Sequence, residues 1–186
     1  MATLPFDPTA AVRFDLARGQ IAVPDSGERV LIPADALLTL CDAADGEARK
    51  DFARRLGTEV GRRAAERLGS VDGASAESVV EHLGGDLALM GLGSLELERW
   101  GKALVLAFTG SPFGARGDEL LASTLEGAIQ RAFGRDVGVA KLSRDDARAR
   151  FIVTSRAGAE RVKNSIDAGR PWGEVLTELA NNTGAA

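Results

Sequence analysis

Val12, Phe14 and Leu16 fall on alternate positions, Gly19 lies in the turn that follows, and Ile21 to Val23 resume the apolar phase. This alternation predicts a small hairpin arm. Residues 24–27 read as a second turn, and Val30, Leu31 and Ile32 as a third short strand. Pro33 opens a helix, since its fixed φ suits a first helical position. Leu37, Leu38 and Cys41 follow at helical spacing over residues 34–43. The helix predicted over 47–68 is the longest, with Phe52, Leu56, Val60, Ala64 and Leu68 down one side. Gly57 and Gly61 lie four apart beside that stripe with Ala53, Ala64 and Ala65 nearby, so another backbone, or a ligand, can approach this face closely. Seven basic residues, Arg49, Lys50, Arg54, Arg55, Arg62, Arg63 and Arg67, mix with Glu47, Asp51, Glu59 and Glu66 on the same helix, the pattern of a solvated face.

After a polar link at 70–74, residues 75–89 carry Val79, Val80, Leu83 and Leu87 at helical spacing, weakened at Gly84 and Gly85. The period then drops to that of a strand. Over 92–100, Leu95 and Leu97 alternate with Glu96 and Glu98, which predicts one apolar and one wet face. Gly101 turns the chain into 102–109, where Leu104, Leu106 and Phe108 share one face and Ala103, Val105 and Ala107 the other, as in a central strand covered on both sides. A loop at 110–117, holding Phe113, leads to Asp118 as an N-cap and a helix ending at Phe133 before Gly134. Its apolar stripe is Leu121, Leu125, Ala128, Ile129 and Ala132. A second hairpin over 137–142 and 149–155 precedes two closing helices, 157–168 and 171–180. The order predicts the α+β class: an antiparallel sheet from two hairpins, packed against helices on one face, with a small N-terminal β arm. The expected division is an arm over 1–33 and a domain over 34–182.

Composition narrows the functions. The chain has 186 residues, 45% hydrophobic and 27% charged, which suits a folded globular domain. Its net charge of -4 argues against a dedicated nucleic-acid binder. One cysteine, Cys41, and one histidine, His82, cannot form a disulfide or a zinc site of Cys and His ligands alone. No apolar run approaches the length of a membrane span, and residues 1–10 lack the basic start and apolar core of a signal peptide, so a cytoplasmic location is expected.

Candidate chemistry is sparse. His82 is the one side chain suited to proton transfer near neutral pH, with Asp86 four residues on able to share its helix face. Cys41 reads as a small buried hydrophobe rather than a reactive thiol. Ser111 lacks the glycines of a nucleophile elbow, and neither glycine-rich segment, 91–93 or 110–117, satisfies a nucleotide-binding pattern. Any catalysis would have to use carboxylates, Arg, Lys or a borrowed cofactor, and no cofactor is expected. Trp100 and Trp172 sit at element ends, where an indole can cap a core or anchor an interface.

The helix with Leu56-Gly57 and Val60-Gly61, the hairpin over 95–108, Leu125-Glu126-Gly127-Ala128, Phe133-Gly134-Arg135-Asp136-Val137 and Phe151-Ile152-Val153 together resemble the 4-vinyl-reductase domain family, over about 52–155. That family shares its α+β fold with subunits of TRAPP vesicle-tethering complexes. Many members carry hairpin cysteines, one of them two residues before the phenylalanine, which in phenol-sensing activators contribute to a zinc site. Here Ala149 stands two before Phe151 and 137–151 hold no cysteine, so the resemblance implies no zinc function. It does imply a homodimeric scaffold or a sensor of an apolar small molecule, with an enzyme or accessory acting on a hydrophobic substrate such as a tetrapyrrole as the alternative. The residues expected at a ligand or interface are Gly57, Gly61, His82, Trp100, Phe108, Phe113 and Trp172. The long basic helix and the acidic outer face of the first hairpin are expected to complement each other between two copies.

Overall fold

The computed structural model describes residues 11–23, 27–69, 73–101, 103–146 and 148–182. The arm forms a three-stranded antiparallel sheet, β1 (Arg13–Asp15), β2 (Gln20–Val23) and β3 (Gly27–Arg29), in that order. The third strand therefore starts three residues earlier than the apolar run suggests. Val23 already stands opposite Gly27, which has a φ of 75°, and by Arg29, opposite Ile21, β2 is nearly used up. Val30, Leu31 and Ile32 lie beyond this pairing and are 81%, 74% and 55% exposed. The turn expected at 24–27 falls mostly outside the described residues.

Local chemistry sets the helix ends. α1 spans Ala34–Ala43, and α2 spans Gly46–Leu68, where the Asp45 carboxylate accepts from the Ala48 N–H at 2.8 Å. In α3 (Ala76–Leu89) the Ser75 hydroxyl caps Ser78 N at 3.1 Å. α4 (Asp118–Phe133) ends at Gly134, with φ 63°. Gly117, not Asp118, holds its N-cap position; Asp118 is the first helical residue and turns inward to Arg144. α5 (Arg156–Asp167) and α6 (Trp172–Asn182) close the described chain. Among the described residues no helix is long and apolar enough to cross a membrane.

The four-stranded sheet comprises β4 (Ser94–Trp100), β5 (Ala103–Thr109), β6 (Gly138–Arg144) and β7 (Arg148–Thr154), all antiparallel, in the order β4-β5-β7-β6. Each hairpin contributes one central strand, so β5 and β7 are buried from both sides. The first face carries Leu95, Leu106, Phe108, Ala149 and Phe151, which join α1, α2, α3 and α4 in the larger core. On the second face, Val105, Ala140, Leu142 and Ile152 meet Val162 of α5 and Val175 and Leu176 of α6. The α+β class and the two-hairpin sheet agree with the sequence pattern, but helices cover both faces instead of one. The amphipathic stripes of α5 and α6 require an apolar surface, and β5 and β7 present one on each side.

The helical layer is organised by the contact of α2 with α4. A Cβ placed on Gly57 would stand 1.9 Å from the Thr124 carbonyl oxygen, one on Gly61 2.2 Å from that of Ala128, and one on Gly127 2.3 Å from that of Arg54. The two backbones touch directly, with Arg54 Nε donating to Glu126 Oε1 across the joint at 3.0 Å. The buried face of α2 is thus Ala53, Gly57, Val60, Gly61, Arg63 and Ala64, while Phe52 is 41% exposed. A stripe in steps of four drifts about 40° per step around a helix of 3.6 residues per turn, which carries its first member off the contact. Gly61→Ala is expected to lower stability by about 1–3 kcal/mol through overpacking, read as a lower urea midpoint; an unchanged midpoint would contradict the close contact.

Candidate functional site

The seven expected site residues separate into different places. Gly57 and Gly61 are covered by the α4 backbone and serve the helix contact. Phe108 and Phe113 are 1% and 5% exposed in the larger core, where Phe108 meets Phe151 edge to face, centroids 6.2 Å apart. His82 lies on the buried side of α3. Trp100 and Trp172 meet on the opposite side of the sheet.

His82 is 4% exposed, and its Nδ1 lies 2.9 Å from the carbonyl oxygen of Ser78, one turn earlier. A carbonyl only accepts, so Nδ1 carries a hydrogen, and in the tautomer that has its one hydrogen there Nε2 is an acceptor. Asp86 shares this helix face, yet its carboxylate is engaged elsewhere. It is 0% exposed, and accepts from Arg63 Nε at 3.2 Å and from Arg67 Nη1 at 2.9 Å. Arg63, expected in solvent, is 3% exposed, and its buried Nη1 has no hydrogen-bond partner among the described residues. Burial lowers its pKa from the ordinary guanidinium value, against the pull of the Asp86 carboxylate. An aspartate inside the stripe Val79, Leu83, Leu87 was the signal in the sequence that a cation must meet it.

On the second face, the centroids of Trp100 and Trp172 are 4.9 Å apart with the rings at 85°, and the Arg150 guanidinium stands 5.9 Å from the Trp172 ring centre. Glu98 Oε2 accepts from Trp100 Nε1 and from Arg150 Nε, each at 3.0 Å, and Oε1 accepts from Arg148 Nη1 at 2.7 Å. Partial burial tends to raise the pKa of Glu98, but its hydrogen bonds from Trp100, Arg150 and Arg148 prevail and hold it below the usual carboxylate value. These side chains span β5 over Ala107, which is 0% exposed and stands opposite both Glu96 and Arg150. A small residue there leaves room for them to lie flat across the strand.

Most of the charges expected to match between two copies have partners within one. Arg49 pairs with Asp42 and Glu119, Arg54 with Glu126, and Arg62 with Glu59 and Glu66. Glu96 and Glu98 pair with Arg148. These pairs within one copy engage most of the charge of α2 and of the outer face of β4.

A groove of about 490 Å³ runs along β6 between α4 and α5, lined in part by Asp118, Glu126, Lys141 and Lys163. Asp118 is 4% exposed and is held by Arg144 Nε at 2.8 Å and Lys141 Nζ at 3.3 Å. Lys163 is tied to Asp167 and Arg156 to Asp136, so its walls carry both signs. Among the described residues no group of three or more His, Cys, Asp or Glu side chains is placed to hold a metal ion.

No protein-family model matches the chain, and no curated protein matches it. Among solved structures, it is similar to the phenol-responsive sensory domain of the transcription activator PoxR, crystallised with phenol. The TM-score is 0.60 at 16% sequence identity, over 87% of this chain and 92% of that one. The likeness is one of fold.

Removing the central anion of the α2–α3 cluster leaves two guanidiniums facing each other, one of them buried. Asp86→Ala is therefore expected to cost about 3–5 kcal/mol in urea denaturation; a loss below about 1 kcal/mol, the scale of a surface pair, would contradict the burial described.

Proposed function

We propose that this chain is a non-enzymatic sensing domain for an apolar small molecule, of the 4-vinyl-reductase-like kind, and that it works as a homodimer. The observation that carries the reading is the likeness of fold to a phenol-responsive sensory domain over 87% of the chain. His82 supports it chemically: Nδ1 is committed to the Ser78 carbonyl, so Nε2 is free to accept from a ligand hydroxyl among apolar neighbours of α3 such as Val79 and Leu83. In this reading Phe108 and Phe113 form apolar walls, the arm over 1–33 is a separate unit from the domain over 34–182, and the chain acts in the cytoplasm. The arm supports the dimer, since Phe14, Leu16, Val30, Leu31 and Ile32 are all more than half exposed, an apolar surface that a second copy would cover.

Phenol and toluene are the probes that test the ligand, by isothermal titration. Phenol is expected to bind saturably and more tightly than toluene, and His82→Leu to weaken phenol roughly tenfold while leaving toluene unchanged, as loss of one buried hydrogen bond requires. Binding of neither probe, or equal loss of both in the variant, would contradict it. For the dimer, sedimentation equilibrium should give twice the 19.5 kDa chain mass, and Leu31→Glu should shift it toward the monomer. Monomer throughout the micromolar range would count against the assembly.

A further inference from the structure

Helix α6 is joined to the molecule by one stripe of side chains and a short link. Trp172, Val175, Leu176 and Leu179 follow at i, i+3, i+4 and i+7, the spacing by which an amphipathic helix seats in a groove. Val175 and Leu176 are 3% and 6% exposed, and share a cluster with Val105, Ile152 and Val162. The link from α5, residues 168–171, is exposed throughout and contains Gly169 at φ 80°, a conformation open to glycine but strained for other residues. Between α5 and α6 a cleft of about 250 Å³ remains, lined by Val162, Val175 and Leu179 among others. α6 thus lies against α5 with a cleft left between them, and reaches the sheet only through side chains, Val175 and Leu176 toward Val105 and Ile152. At its N-terminal end Trp172 is clamped between Trp100, whose ring stands at 85° to its own, and Arg150, both of them fixed through Glu98.

We propose that the second face of the sheet is a helix-binding groove with α6 as its resident occupant, and that α6 releases as a unit about Gly169 while the α2–α4 core stays folded. The geometry separates two kinds of attachment. The core is held by backbone against backbone over about two helical turns, whereas α6 is held mainly by side chains, the Trp172 clamp and the aliphatic Val175, Leu176 and Leu179, with the Arg170 N–H bond to the Ser165 carbonyl at 3.1 Å as the backbone tie at its hinge. Sub-global opening follows such boundaries, because the free energy of each opening is set by the contacts that it breaks. Release uncovers Val105 and Ile152, a seat shaped for the same i, i+3, i+4, i+7 stripe. The inference does not depend on the sensing reading, and its test involves no small molecule.

Hydrogen exchange of the full chain, read by mass spectrometry, tests it. Amides of residues 173–179 are expected to exchange through an opening roughly tenfold or more populated than that of residues 121–129 in α4. Trp172→Ala should raise exchange in α6 by roughly a further tenfold and leave α4 unchanged. The milder Trp100→Phe, at a side chain already 46% exposed, should move α6 alone in the same direction and serves if the first variant does not fold. A labelled peptide spanning residues 170–182 should bind the Trp172→Ala chain more tightly than the unaltered one, since the groove of the variant is vacated more often. Equal exchange in α6 and α4, acceleration of both together, or a peptide without preference for the variant would overturn the proposal.

Discussion

The direct contact between the backbones of α2 and α4 is the constraint on which the other arrangements rest. Gly57, Gly61 and Gly127 leave no space for a side chain between the two helices, so their separation and register are set by main-chain surfaces that cannot adjust by rotamer change. Side chains beside the joint inherit fixed positions. Val60 and Ala64 are directed into the core, and Arg63 and Arg67 are brought to α3, where Asp86 receives them. Leu121, Leu125 and Ala128 of α4 are fully buried in the same core as Phe108 and Phe151, so the helix pair also sets where the first face of the sheet rests.

The second face follows different physics. Gly138 lets the first turn of α5 come close to β6, with Arg156 Cα only 2.9 Å from where a Cβ would stand, but among the described residues no such joint links α5 to α6, and the apolar side chains of the sheet are covered mostly by side chains of the helices. Polar groups surround this smaller core as a belt: Glu98 gathers Trp100, Arg148 and Arg150, and Arg150 in turn lies beside Trp172. These pairs are only partly buried, at side-chain exposures of 18–31%, and their clearest effect here is positional. Together they hold an indole where the first turn of α6 can use it.

Much of this was legible in the sequence wherever periodicity is a local property. Gly57 and Gly61 on one helix face announced a close approach, and the double apolar alternation of 103–108 announced a strand buried from both sides. Which helices would cover which face was not legible, because an amphipathic stripe such as Val175, Leu176 and Leu179 states that it is covered but not by what. The third strand was misplaced because its pairing begins at Gly27, opposite Val23, and the apolar run that follows marks no strand at all. Asp86 within an apolar stripe called for a cation, but which cation was hidden for a related reason. Arg63 is one of seven basic residues on α2, and only the tertiary position of Asp86, 23 residues away, singles it out for burial. Of the candidate residues, the pairing of Trp100 with Trp172 was the least accessible, since 72 positions separate two residues whose common feature is a place at an element's end.

The dependence on backbone contact is tested most directly by the coupling between Gly57→Ala and Gly127→Ala. The two glycines sit on opposite helices of one joint, so the first added methyl would already push the backbones apart and the second would enter space that has opened. The stability lost in the double variant should fall short of the sum of the two single losses by about 1 kcal/mol or more, the coupling expected of sites that share one contact. Losses that add to within about 0.3 kcal/mol, as for independent sites, would contradict a joint in which main chain meets main chain.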